Sequence, residues 1–420
     1  MNEKVLQQVW RLQLYDQCEL KTACGKTISI IFPGNLNPNA GPDFIQARIR
    51  IEETYWAGNV EIHVRASDWF KHDHQHDKNY SNVILHVVWE NDLCEFDQAH
   101  VLALKERMRN YDSDVMFNIF SSHQSIPCLP YFRKEHLTIR IKYDLLRARL
   151  SKKALHIQHV EKHQHYDWAQ VCWIMLCRSM GYSVNEDAFE QIALRLPYRL
   201  MLTYKHDLLL VESLLFGVSG LLDGNFTDEY PNLLKKQFHR LKAIHSLKSI
   251  NVPLHFLRMR PMNFPTIRLA QLASIITNLE VLISLIMKTN TLYELAYLFE
   301  NEPSEYWSQH YVFDKPSSFS SKKMGKTLIF NLLINTYIPV NFTRKLKLDP
   351  NSAYIDGIEM LQKIKPELNY IINQYTEHGI TLDSAEESQA LIELFNQFCS
   401  FKKCSECAVG FQIATNSVLN

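Results

Sequence analysis

The stretch NPNAGPDFIQARIRIEETYWAGNVEIHVRASDWFKHDHQHDKNYSNVILHVVW, Asn37 to Trp89, decides the fold. Asp43 follows a Gly-Pro turn and opens the run Phe44 to Ile51. There Ile45, Ala47, Ile49 and Ile51 alternate with Phe44, Arg48 and Arg50, as in a strand with one buried face. A second run, Asn59 to Val64, sets Val60, Ile62 and Val64 on one face and Glu61 and His63 on the other. Trp56 to Asn59 reads as the turn joining the two strands. Ser67 to Tyr80 reads as a short helix or ordered loop carrying His72, His74, His76 and Asp77, with Ser67 as N-cap. Val83 to Trp89 is apolar almost throughout around His86, the pattern of a central strand covered on both faces.

Outward from this block, Glu3 to Asp16 has the spacing of an amphipathic helix, and Thr27 to Phe32 that of a strand. Leu102 to Arg107 adds a further strand. From Arg133 onward the pattern becomes helices with short loops, including 134–155, 166–180 and an apolar stretch at 266–288. The change of pattern at SSHQSIPCLP, Ser121 to Pro130, divides the chain into an α/β domain with a mixed sheet, 1–125, and a helical domain, 126–420.

The 420 residues carry 45 basic and 45 acidic side chains, so a basic coat over the whole protein is excluded. Local basic elements remain. Segment 133–163 reads as a phosphate-contacting helix or as a solvated face. RMRPMNFPTIR, with Arg258, Arg260 and Arg268, reads as a substrate loop touching nucleic acid or as a structural turn. MNEKVLQQVW has no signal-peptide hydrophobic region. Leu269 to Met287 is interrupted by Gln271, Asn278 and Glu280, unlike a membrane span. The nine cysteines form no secreted framework. A soluble, cytoplasmic protein with reduced thiols and no membrane partner is the expectation.

The chemistry concentrates in the central block. Asp43, Glu61 and the carbonyl of Ile62 supply hard oxygens for Mg²⁺ or Mn²⁺. His63 would be a third ligand or a base, with His86 nearby. The same block also reads as a histidine-rich site for Zn²⁺ or Mn²⁺, built from His63, His72, His74, Asp77 and His86. A purely structural reading makes Asp43 a turn cap and pairs Glu61 and His63 with their neighbours. At the other end of the chain, Cys399-x4-Cys404-x2-Cys407 resembles part of a structural zinc or iron–sulfur site, or reads as ordinary or redox-active thiols. Its fourth ligand is open among Cys18, Cys24, Cys94, Cys128 and a histidine.

Gly41-Pro42-Asp43-Phe44 and Glu61-Ile62-His63, in a helix–three strands–helix–strand order, resemble the PD-(D/E)XK nuclease superfamily over about the first hundred residues. That resemblance implies a restriction-endonuclease-like fold with Asp43 and Glu61 as metal ligands. The superfamily's lysine is His63 here, so a mostly neutral imidazole stands where a permanent cation is usual. Over nearly the whole chain, NPNAGPDF, GNVEIHVRASDW, NVILHVVW, FGVSGLL, RMRPMNFPTIRLAQLA and the cysteine-rich end resemble an uncharacterised bacterial family, a domain of unknown function. The expectation is a metal-dependent phosphodiesterase acting on nucleic acid. The alternative is a catalytically silent module that keeps the fold and binds nucleic acid or protein.

Overall fold

The computed structural model describes residues 3–414 except 12, 14, 38, 109–114, 116, 117, 120, 121, 166 and 289–291. The chain is α+β and divides into two compact units. The first is Met1–Lys142 with Glu377–Ile380 and Leu394–Asn420; the second is Tyr143–Thr376 with Thr381–Glu393. The first unit thus runs past residue 125 and takes in the C-terminal cysteines. Ser121, in the expected boundary, lies outside the described residues.

In the first unit, helix α1 (Glu3–Arg11) places Val5, Leu6, Val9 and Trp10 against one face of the sheet. Its strands are β1 (Ile28–Phe32), β2 (Asn35–Leu36), β3 (Phe44–Ile51), β4 (Thr54–Arg65), β5 (Val83–Glu90) and β6 (His100–Ala103). Their order is β1-β3-β4-β5-β6, with β2 beside β3. The β1–β3 and β3–β4 pairs are antiparallel; β4–β5 and β5–β6 are parallel. Parallel strands need a crossover. Between β4 and β5 it consists of helix α2 (Asp68–Lys71) and two 3₁₀ turns, His74–His76 and Lys78–Tyr80. Lys105–Met108, expected to continue a strand, is a 3₁₀ turn.

The β3–β4 turn differs from the expectation. Trp56, Ala57 and Gly58 pair with Ile49, Arg48 and Ala47, so they lie within β4. The chain reverses at Glu52–Glu53, where Glu52 takes φ 52°. Gly58 answers to crowding, not to a turn: a Cβ there would meet Ile84 Cγ2 at 2.5 Å and Asn82 O at 2.7 Å.

A second difference lies at the start of β3. Simple alternation places Phe44 with Arg48 and Arg50, away from the core. Instead the register shifts between Phe44 and Ala47, and Gln46 takes φ 62°. This β-bulge adds one residue, so Phe44 turns inward with Ala47. Phe44 is fully buried as a result. Gly34, at φ 97°, backs the bulge; a Cβ there would lie 3.0 Å from both Ile45 O and Phe44 Cβ. Gly34→Ala should therefore cost roughly 1–2 kcal/mol from the backbone conformation alone. A denaturant melt checks this; an unchanged midpoint would mean that the bulge does not depend on Gly34.

The second unit is helical throughout its main elements, including Ile139–His163, Trp168–Met180, Tyr182–Arg195, Leu208–Val218 and Glu229–His245. The apolar segment 266–288 is interrupted by a 3₁₀ turn, Ile276–Asn278, between Pro265–Ile275 and Leu279–Ile286. By length and composition Pro265–Ile286 could cross a membrane, yet 67% of its most apolar window is buried in the structure, as in a core helix. The basic helix spends part of its charge internally. Arg149 pairs with Glu393 at 3.3 Å, and Lys153 donates to Asn335 Oδ1 at 2.8 Å.

Candidate metal centre

Glu61, His63 and His86 lie on the strands β4 and β5, and Asp43 stands just before β3, at the sheet end that Gln7 of α1 also reaches. Phe44 pairs with Val60, so Asp43 and Glu61 sit at the next position of an antiparallel pair. Each carboxylate accepts from the other strand's backbone. The Asp43 amide donates to Glu61 Oε2 at 3.0 Å, and the Ile62 amide donates to Asp43 Oδ2 at 3.1 Å. Gln7 Nε2 of α1 donates to Asp43 Oδ1 at 2.8 Å. Burial, opposed by the Ile62 hydrogen bond and helped by the charge of Glu3, pushes Asp43 up to about 6. Burial and then the Asp43 charge push Glu61 up to about 8. Two buried carboxylates this close cannot readily both ionise without a cation.

The histidines complete the group. His63 Nε2 lies 3.6 Å from Glu61 Oε1 and 3.1 Å from His72 Nδ1. His74 Nε2 lies 3.5 Å from the same Glu61 oxygen. Among the described residues, His63, His72 and His74 form the one group of three metal-type donors within 4.8 Å of one another. Donors at about 2.0–2.1 Å from a tetrahedral ion stand roughly 3.3–3.4 Å apart; the His63–His72, His63–Glu61 and His74–Glu61 separations lie near that value, while Glu61 stands outside the three-histidine group.

The surroundings hold these rings in place. His63 Nδ1 and His86 Nε2 are 2.9 Å apart, so His86 orients His63 from behind, as outer-shell partners of ligand histidines do. Trp69 is buried against His74 and His86, and Tyr80 stacks on His74 with centroids 3.8 Å apart. Burial and the neighbouring imidazoles push His63 and His86 down to about 3, and they lower His74 as well. These rings are therefore neutral, with lone pairs available for coordination. His74 Nε2 is buried without a hydrogen-bond partner. It is one of several such atoms among the described residues; a cation between His63, His72, His74 and Glu61 would satisfy it. His72 is exposed, which leaves the centre open on one side.

Other expected residues have different roles. Asp77 accepts from the Asn79 amide at 2.9 Å, capping the second 3₁₀ turn. Ser67 sits at the N-cap of α2 without a capping bond; its hydroxyl donates to Asp92 Oδ2 at 2.7 Å. Arg258 and Arg260 are exposed. Arg268 is buried, donating to Asn263 Oδ1 at 2.6 Å and Gln271 Oε1 at 2.7 Å, which makes it part of the turn. Cys399, Cys404 and Cys407 are buried free thiols, not drawn within 4.8 Å as a group. Glu3 and Gln7 were absent from the sequence reading. Their i, i+4 spacing on the polar face of α1 was the available signal.

Fold and site define an α+β protein with a histidine–carboxylate cluster on one face of a mixed sheet. The chain belongs to the family described as Protein of unknown function (DUF2851), whose model matches residues 3–370. The cysteine-rich end lies beyond that match. No curated protein and no solved structure matches the chain.

Proposed function

We propose that the first unit is a metal-dependent hydrolase of phosphodiesters, with nucleic acid as substrate. The observation that carries this reading is the grouping of His63, His72 and His74 within 4.8 Å of one another, with Glu61 Oε1 3.6 Å from His63 Nε2 and 3.5 Å from His74 Nε2. Three imidazoles and a carboxylate favour Zn²⁺ or Mn²⁺ over Mg²⁺, which prefers oxygen. Such an ion would supply an activated water and neutralise charge on a phosphate. Asp43, raised to about 6, is suited to exchange a proton near neutral pH beside that ion. Glu61 holds the Asp43 amide while offering its other oxygen to the ion, which keeps the two carboxylates in register. An antiparallel meander followed by a parallel strand, with Asp43 and Glu61 on adjoining strands, supports the nuclease-like reading of substrate. A cleft of about 770 Å³ lies nearby on the same unit. Phe96 lines it and touches the His86 ring. It also offers Lys26 and the half-exposed Trp56 for phosphate and base contacts, although none of the four donors lines it.

The test is a cleavage assay on single- and double-stranded DNA and RNA with Zn²⁺, Mn²⁺ and Mg²⁺. The wild type should cleave with Mn²⁺ or Zn²⁺. His63→Lys should lose at least about tenfold, because an ammonium in place of a ligand repels the cation. Retained or increased activity in His63→Lys would mean that His63 substitutes for a lysine and is not a ligand. No cleavage with binding intact would favour the silent binding module.

A further inference from the structure

The C-terminal segment Leu394–Asn420 belongs to the first unit although some 250 residues separate it from Met1–Lys142. Specific contacts tie it there. Lys402 Nζ donates to the carbonyl of Gln124, and Arg11 pairs with Glu406 at 3.1 Å. The segment brings Cys399, Cys404 and Cys407 to a buried position, and Cys128 is buried as well. We propose that Cys128, Cys399, Cys404 and Cys407 form a four-thiolate metal centre that staples the C-terminal segment to the first unit.

Three observations support this set. First, Cys128 is a neighbour of the other three. It lies within electrostatic reach of Cys399, Cys407 and Cys404, and Cys399 within reach of Cys407 and Cys404. The thiols Cys18, Cys24 and Cys94 are exposed instead. Second, the Cys404–Cys407 turn is shaped around sulfur. The Cys407 amide donates to Cys404 O at 3.3 Å, and the Gly410 amide donates to Cys407 Sγ at 3.5 Å. An N–H aimed at sulfur serves a thiolate far better than a thiol. Gly410 is required for this closeness, since a Cβ there would lie 2.7 Å from Cys404 O. Third, all four are free thiols in a buried place. Four thiols gathered without disulfide bonds are the ordinary ligand set of zinc and of iron–sulfur clusters. Zinc needs sulfurs about 3.7 Å apart, and no three of these sulfurs fall mutually within 4.8 Å, so a zinc ion requires the side chains to close inward.

The experiment uses the full chain carrying His63→Ala, so that metal at the histidine centre is not counted. Anaerobically purified protein is analysed for zinc and iron and by visible absorption. Stoichiometric zinc without colour identifies a zinc centre; iron with sulfur-to-iron charge-transfer absorption identifies a cluster. Cys128→Ser should lose most of the metal, whereas Cys24→Ser should keep it. If Cys128→Ser does not fold, Co²⁺ substitution of the metal-stripped parent decides, because the near-ultraviolet thiolate-to-cobalt absorption grows with each sulfur ligand. Absence of both metals together with absence of that absorption would overturn the proposal. So would full metal retention in Cys128→Ser.

Discussion

Glu61→Gln is expected to weaken Mn²⁺ or Zn²⁺ binding at the histidine centre by roughly a hundred- to a thousandfold. The change keeps the shape of the side chain and removes its charge and one of four donors. Apparent zinc binding at four-ligand sites is about 10–16 kcal/mol, so one donor accounts for on the order of 3–4 kcal/mol. The loss should exceed that of His86→Gln, since outer-shell changes cost about 10–100-fold. Titration of metal-stripped protein against a chelator of known affinity, with Cys407→Ser in the background, measures both. Equal affinities for wild type and Glu61→Gln would remove Glu61 from the centre.

The metal-free protein should lose about 2 kcal/mol of stability between pH 6.5 and 8, and Glu61→Gln should abolish that loss. Glu61 is raised in the folded state to about 8, so its contribution is present at low pH and fades as pH rises through that value. The slope is about 1.4 kcal/mol per pH unit for one proton. Asp43, raised to about 6, completes its loss earlier. His63 and His86 act in the opposite sense. Their folded values near 3 lie below the ordinary 6.5, so their contribution is present above pH 6.5 and is lost as pH falls toward 3. The two effects offset each other between roughly pH 4.5 and 6, leaving a stability maximum of the metal-free protein in the mildly acidic range. A bound cation favours ionised Glu61, so the alkaline loss should vanish with Mn²⁺ present. Thermal melts across this range, with chelator and with Mn²⁺, check the pattern. A metal-free protein that gains stability from pH 6.5 to 8 would contradict it.

Much of the sheet was legible because its strands follow simple period-two patterns. Val60, Ile62 and Val64 against Glu61 and His63 gave the faces of β4 correctly, and the apolar run at Val83 gave a buried central strand. The misreadings arose where backbone geometry broke the pattern. Alternation alone sets Phe44 with Arg48 and Arg50, and only the bulge at Gln46, which adds a residue without any apolar signal, turns it inward. Gly58 looked like a turn residue because glycine serves turns and crowded strands alike. The histidine loop showed its composition but not its geometry. His72 and His74 come beside His63 only once the crossover folds back over β4, while Asp77 and His76 have other partners. Cys128 could not be singled out among the other cysteines, since its proximity to Cys399 spans most of the chain.

The central claim is that His63, His72, His74 and Glu61 hold one divalent cation. Anomalous diffraction at the manganese edge, from crystals of the full chain grown with Mn²⁺, tests it most directly. The expected result is a single strong peak about 2.0–2.2 Å from His63 Nε2, His72 Nδ1, His74 Nε2 and Glu61 Oε1. A map at saturating Mn²⁺ with no peak there, and with His63 still hydrogen-bonded to His72, would contradict it.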